Sequence, residues 1–161
     1  MKGLWICLAA ALVCVGCQYD PFAHLLTTHK PSPQQIAGRY KLTRQTVTGD
    51  GLAALKGEVS AVELFADGRF VATNLPPWTS DPPDARFFAT LVSGSGSWRI
   101  DSVGGIDSGF GGEQTAWGVY LDSPSVRIHP AGFTGSKPPY GLIFTMSDPD
   151  LGAALFFERQ D

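Results

Sequence analysis

The sequence predicts an all-β domain of about eight antiparallel strands, wound into a barrel or packed as a sandwich. Three observations carry this expectation. Short apolar runs alternate with polar residues at a period of two, reversals rich in Gly, Asp and Pro recur at short intervals, and no long amphipathic helix interrupts them. Such spacing favours a meandering barrel or a sandwich over alternating β-α units.

The elements follow in order. Ser32-Pro33-Gln34-Gln35 has a capping Ser, Pro at the first helical position and Gln three residues after the Ser, which is a capping box. Gly38 follows closely, so one short turn is expected from Pro33 to Ala37. Tyr40 and Leu42 then alternate with Lys41 and Thr43 as a half-buried strand. Val62–Phe65 and Arg69–Thr73 flank Asp67-Gly68, which supplies the positive φ angles of a tight hairpin. Further strands are predicted at Gly96–Asp101 (ended by Gly104-Gly105), Ala116–Leu121, Val126–His129, Tyr140–Thr145 and Ala154–Arg159. Leu52–Lys56 suits one helical turn, and Asp148-Pro149-Asp150-Leu151-Gly152 suits a chain reversal. The last two strands are apolar on both faces, Ile143 against Phe144 and Phe156 against Phe157. Their outer faces therefore need a cover, from a loop or from the segment ahead of the domain.

That segment opens with an address. Lys2 precedes an uncharged stretch, Gly3 to Gly16, of 14 residues. A membrane-spanning helix needs roughly 20 apolar residues, so this length suits the apolar core of a secretory signal peptide. The alternative for the same residues is a buried N-terminal helix. Residues 18–32 carry Pro21, Pro31, His24 and His29 with little periodicity, and read as a short tether, although Leu25-Leu26 could dock onto the fold. His24 and His29 are five apart, a poor match to one face of a helix or a strand, so a solvated linker is expected there rather than a metal site.

Val15-Gly16-Cys17 resembles the lipobox of bacterial lipoproteins, in which small residues precede the cut and the Cys thiol carries a diacylglycerol. The third residue before the cut is Cys14, where that family usually has Leu. The resemblance implies residues 1–16 as signal peptide, lipidation at Cys17, a tether over 17–32, and a domain over 33–161. With Gln18 rather than Asp after the Cys, it also implies an outer-membrane, periplasm-facing location; plain secretion or a periplasmic protein is the alternative. Cys7 and Cys14 would leave with the signal, and the remaining 145 residues would hold no free thiol, disulfide or Cys-based zinc site. Stability would then rest on a hydrophobic core, which a chain of this size is long enough to build.

Composition limits the partners. Of 161 residues, 43% are apolar, which excludes a disordered chain. Twelve basic against 15 acidic residues give a net charge of −3, without the basic excess that nucleic-acid binding requires. Loss of Lys2 would take the charge to −4, so acyl chains rather than anionic headgroups would hold the body to a membrane.

The short turn followed by Gly38-Arg39-Tyr40 resembles the Gly-x-Trp opening of lipocalin-like barrels, with Tyr40 in place of Trp. The resemblance spans roughly residues 33–160 and implies an eight-stranded lipocalin-like barrel. It assigns barrel closure to Gly38, Tyr40 and Arg159, the last packing across the aromatic ring and reaching carbonyls of the first turn. The Gly94–Trp98 and Pro138–Thr145 segments also look like small uncharacterised bacterial lipoproteins of this general shape.

No sequence signature of catalysis is found. Ser93-Gly94-Ser95-Gly96 is out of register with a Gly-x-Ser-x-Gly elbow, and Gly104–Gly112 lacks dinucleotide-binding spacing. Asp148-x-Asp150-x-Gly152 fails the calcium-loop pattern, since Arg159 stands where its Glu belongs. His129 is the one His inside the domain and reads as a rim residue. Paired carboxylates suited to acid–base work cannot be picked out. The expected function is therefore non-enzymatic, without cofactor or metal: binding of a small apolar ligand or an envelope partner protein. Trp78 in its Pro-rich loop, with Phe87, Phe88 and Phe133 near other loops, would line the mouth of an apolar cavity. Trp78 folded back as a lid on the core is the competing placement. The rival functions are a structural envelope protein with a filled barrel and an enzyme with a dispersed site.

Overall fold

The computed structural model describes residues 20–47, 59–75, 91–107, 112–146 and 152–160. Eight antiparallel strands form one sheet that closes on itself in sequence order. They are β1 (Gly38–Gln45), β2 (Ala61–Leu64), β3 (Arg69–Leu75), β4 (Val92–Asp107), β5 (Glu113–Asp122), β6 (Ala131–Thr134), β7 (Gly141–Thr145) and β8 (Ala154–Gln160). Tyr40 on β1 faces Arg159 on β8, which closes the ring. The fold is thus the expected barrel, a single closed sheet instead of two stacked ones.

Alternation sorts side chains to two sides of this sheet. Tyr40, Val62, Leu64, Phe70, Val119, Phe133, Leu142, Phe144, Leu155 and Phe157 form one interior cluster. Phe144 and Phe157 meet edge to face at 5.2 Å. Ile143, Ala154 and Phe156 point outward and form a second cluster, covered by Phe22, Leu25 and Leu26. Phe156 lies between the edge of Phe22 at 5.3 Å and the Arg44 guanidinium at 3.6 Å from its ring centre. The two-faced apolar strands foreseen in the sequence therefore have their cover, and Leu25 and Leu26 dock on the barrel.

A meander places the ends of β1, β3, β5 and β7 at one end of the barrel, the upper end, and their starts at the other, the floor. The upper-end strand termini flank segments 48–58, 76–90 and 147–151. At the floor, α1 (Pro33–Ile36) leads into β1, with the Gln35 side chain accepting the Ser32 N–H at 2.8 Å. The predicted turn at 33–37 is present, with Ala37 as its C-cap.

Two strand expectations need correction. Val126–His129 is not a strand of the barrel; its pairing is confined to the bridge residues Arg127, opposite Asp122, and Ile128, and the sixth strand is Ala131–Thr134. The seam to β5 is made by Gly132 opposite Gly118 and Ala131 opposite Val119, where small residues let two backbones approach. Gly104-Gly105 does not end β4 either. The ladder shifts register between Ser102 and Gly104 and then continues to Asp107 opposite Glu113. Glycine here marks a bulge, which bends a strand without stopping it. The helical turn expected at Leu52–Lys56 and the reversal at Asp148–Leu151 lie outside the described residues.

Candidate functional site

At the floor, Gly38, Tyr40 and Arg159 lie together around the first turn. Gly38 has a φ of +154°, a conformation that L side chains rarely adopt. A β-carbon there would lie 2.7 Å from Nε of Arg159, so the missing side chain is what lets the guanidinium cross the chain. Arg159 Nη1 then donates to the Gln35 carbonyl at 2.9 Å, a carbonyl of the first turn. Tyr40 is fully buried, and its hydroxyl donates to the Ile36 carbonyl at 2.6 Å. Gly38 and Tyr40 of the first strand and the distant Arg159 of the last thus converge on one turn and lock the two strands together.

Burial pushes the Tyr40 phenol up to about 12 from its ordinary 10.0, an effect partly offset by the nearby Arg159 charge. The folded state therefore keeps the proton where the unfolded chain has lost it, so the contribution of this one group is constant below pH 10 and falls between about 10 and 12. The slope expected is about 1.4 kcal/mol per pH unit. Replacing Tyr40 with Phe is expected to remove that alkaline loss while costing about 1–3 kcal/mol at neutral pH through the stranded Ile36 carbonyl. Urea denaturation of both proteins at pH 8, 10 and 11.5 checks it; parallel pH profiles would defeat the assignment.

A second construction was not legible in the sequence. Beyond Gly118 and Val119, strands β5 and β6 diverge, and the N-terminal segment enters the fork. Thr27 donates its N–H to the Phe133 carbonyl at 2.9 Å and accepts the Trp117 N–H at 3.0 Å. Its hydroxyl donates to the Gly135 carbonyl at 2.6 Å. Thr27 is only 2% exposed, so this one polar residue stitches both arms of the fork with every group engaged. Leu26 bridges to Thr134, and Lys30 lies 4.6 Å from the centre of the Trp117 ring. Thr27, one of two adjacent threonines after Leu25-Leu26, carries no pattern that marks it as a wedge.

The expected ligand-lining residues separate. Trp78, Phe87 and Phe88 lie outside the described residues, as does Cys17. Phe133, expected near a loop, is instead on β6 and completely buried in the interior beside Tyr140, with ring centres 6.3 Å apart. Its misplacement follows from the five-residue displacement of the sixth strand. Clefts of about 320, 390 and 170 Å³ occur at the β5–β6 turn, at the parting of β1 from β2, and beside the N-terminal segment. None of these three is lined by Tyr40, Phe70, Phe133, Phe144 or Phe157.

His129 lines the smallest of the three clefts with Asp20, and its Nδ1 is engaged by the Pro130 carbonyl at 2.9 Å. Burial holds its pKa below the ordinary 6.5, with the Pro130 contact acting in the opposite direction. His24 and His29 are exposed. Among the described residues, no three His, Cys, Asp or Glu side chains are grouped to hold a metal ion. Arg99 pairs with Asp122 and with Asp101 on the outside of β4 and β5, and stacks 4.6 Å from the Tyr120 ring centre. Both Arg99 and its partners are about half exposed, so this cluster decorates the wall and contributes little to stability.

No protein-family model, curated protein or solved structure matches the chain.

Proposed function

We propose that the chain is a non-enzymatic lipoprotein module, held at the outer membrane through Cys17 and facing the periplasm. It acts by presenting its outer surface to a partner protein, and carries no small apolar ligand inside. The observation that supports this reading is the crowded interior. Tyr40, Phe70, Phe133, Phe144 and Phe157 are each at most 2% exposed and belong to one packed cluster inside the ring. An eight-stranded barrel can be filled by its own side chains or hold one small ligand, and carriage of a ligand calls for a void of several hundred Å³. The anchor rests on Val15-Gly16-Cys17 after an apolar stretch too short to span a bilayer. The lipocalin-like reading draws on the Gly38, Tyr40 and Arg159 arrangement at the floor.

The test uses protein purified from its own cells. Native mass spectrometry is expected to give a chain with covalent acyl mass and no retained small molecule. A stoichiometric apolar ligand would overturn the surface-binding reading in favour of cargo. Metabolic labelling with a radioactive fatty acid is expected to be lost in Cys17→Ala. Label persisting in that variant would remove the anchor from Cys17.

A further inference from the structure

We infer that the anchor leaves the barrel at its upper end and holds that end against the bilayer surface, with the floor turned away. The inference rests on the lipid-anchored reading and adds an orientation to it. The described chain begins at Asp20, only three residues after Cys17. Three residues span at most about 11 Å. Asp20 already lies against the fold, at the start of a turn held by its own local hydrogen bonds. Its carboxylate accepts the Phe22 N–H at 2.8 Å, its carbonyl accepts the Ala23 N–H at 3.2 Å, and it borders the cleft formed with His129, Pro130 and Thr145. Thr145 is the upper-end residue of β7, and Pro130 precedes the start of β6 at the same end. Pro21 packs toward Gly152, just ahead of β8, again at the upper end.

From there the chain descends the outer wall. Leu26 and Thr27 are already level with Thr134 and Gly135, at the floor end of β6, and α1 closes the floor. Residues 20–36 are therefore a strap running the height of the barrel, and the anchor is tied to its top. For the floor to touch the bilayer, Cys17 would have to cover the length of β7 as well. Its five residues rise about 16 Å, more than the leash allows. A flexible tether over 17–32 would leave orientation free. The hydrogen bonds of Thr27 and the packing of Phe22, Leu25 and Leu26 on Ile143 and Phe156 remove that freedom.

The experiment reads depth at four exposed positions. Ser125→Cys and Val59→Cys lie at the upper end; Asp67→Cys and Lys137→Cys lie in the floor turns. With Cys17 acylated and residues 1–16 removed, each mature variant carries one free thiol for a fluorophore. The acylated full-length proteins are placed in phosphatidylethanolamine–phosphatidylglycerol vesicles containing a lipid with a nitroxide on its headgroup. Quenching is expected to be several-fold stronger at 125 and 59 than at 67 and 137. Equal or reversed quenching on acylated, vesicle-bound protein overturns the orientation and leaves the anchor standing. Intact mass without an acyl group overturns the anchor and the orientation together. Insertion of about 15 Gly/Ser residues before Asp20 is expected to erase the contrast. A contrast that survives the longer leash would show that the strap does not set it.

Discussion

Phe133→Ala is expected to lower the unfolding free energy by about 3–5 kcal/mol, the range for deleting a buried aromatic ring. The ring is fully enclosed, lies beside Tyr140 just ahead of the neighbouring strand, and sits on a strand of only four residues. So short a strand has little of its own to hold it, and its inward side chain fixes the wall to the core. Against the 5–15 kcal/mol of a typical domain, the loss takes a large part of the margin. The urea midpoint should fall while the slope of the transition stays the same. Phe133→Leu, which keeps most of the volume, should lose far less. A loss below about 1 kcal/mol for the Ala variant would mean that the ring lines open space, and would return Phe133 to the cavity role expected from the sequence.

The barrel itself was legible because its signals are local. Asp67-Gly68 sits in a local reversal, Ala66-Asp67-Gly68, closed by the Phe65 N–H donating to the Arg69 carbonyl at 2.8 Å, with Gly68 alone of the three taking a positive φ. Tyr40 and Leu42 point inward because alternation alone puts them there. The two-sided greasiness of β7 and β8 even announced that something would lie outside them. What failed was the reading of small residues. Val126-Arg127-Ile128-His129 has better strand propensity than Ala131-Gly132-Phe133-Thr134, yet the ladder forms on the second. Propensity measures how a side chain packs on a pleated surface, and at this seam the requirement is for backbones to come close. The same blindness read Gly104-Gly105 as a stop.

The candidate site was less legible than the fold. Gly38, Tyr40 and Arg159 were found through a family resemblance, because no local pattern links Arg159 to a pair of residues more than a hundred positions earlier. Thr27 was not found at all. Its role exists only where β5 and β6 part, and that fork is a consequence of barrel closure. The strap changes the sense of the N-terminal sequence as well: polar, Pro-containing and aperiodic, it has the composition of a linker and the contacts of a wall.

Gly118→Ala is expected to destabilise the protein by about 3 kcal/mol, at the upper end of the usual range for overpacking. A β-carbon at this position would lie 2.3 Å from the Ala131 carbonyl oxygen and 2.4 Å from a methyl of Val103. The Val103 contact is with a side chain, but the carbonyl belongs to the backbone of the facing strand and cannot turn aside. β5 and β6 meet in only two register pairs, Gly118 with Gly132 and Val119 with Ala131, so relief of the clash must spread the seam that closes this side of the barrel. The fork filled by Thr27 begins at the next residue, and widening it pulls the Trp117 N–H from the Thr27 carbonyl. Amide hydrogen exchange should therefore accelerate at Trp117, Thr27 and Val119 well before it does at Val62 and Phe70 on the opposite wall. Uniform acceleration around the ring would show that the seam has no weakness of its own, and an unchanged urea midpoint would show that the two strands tolerate a side chain between them.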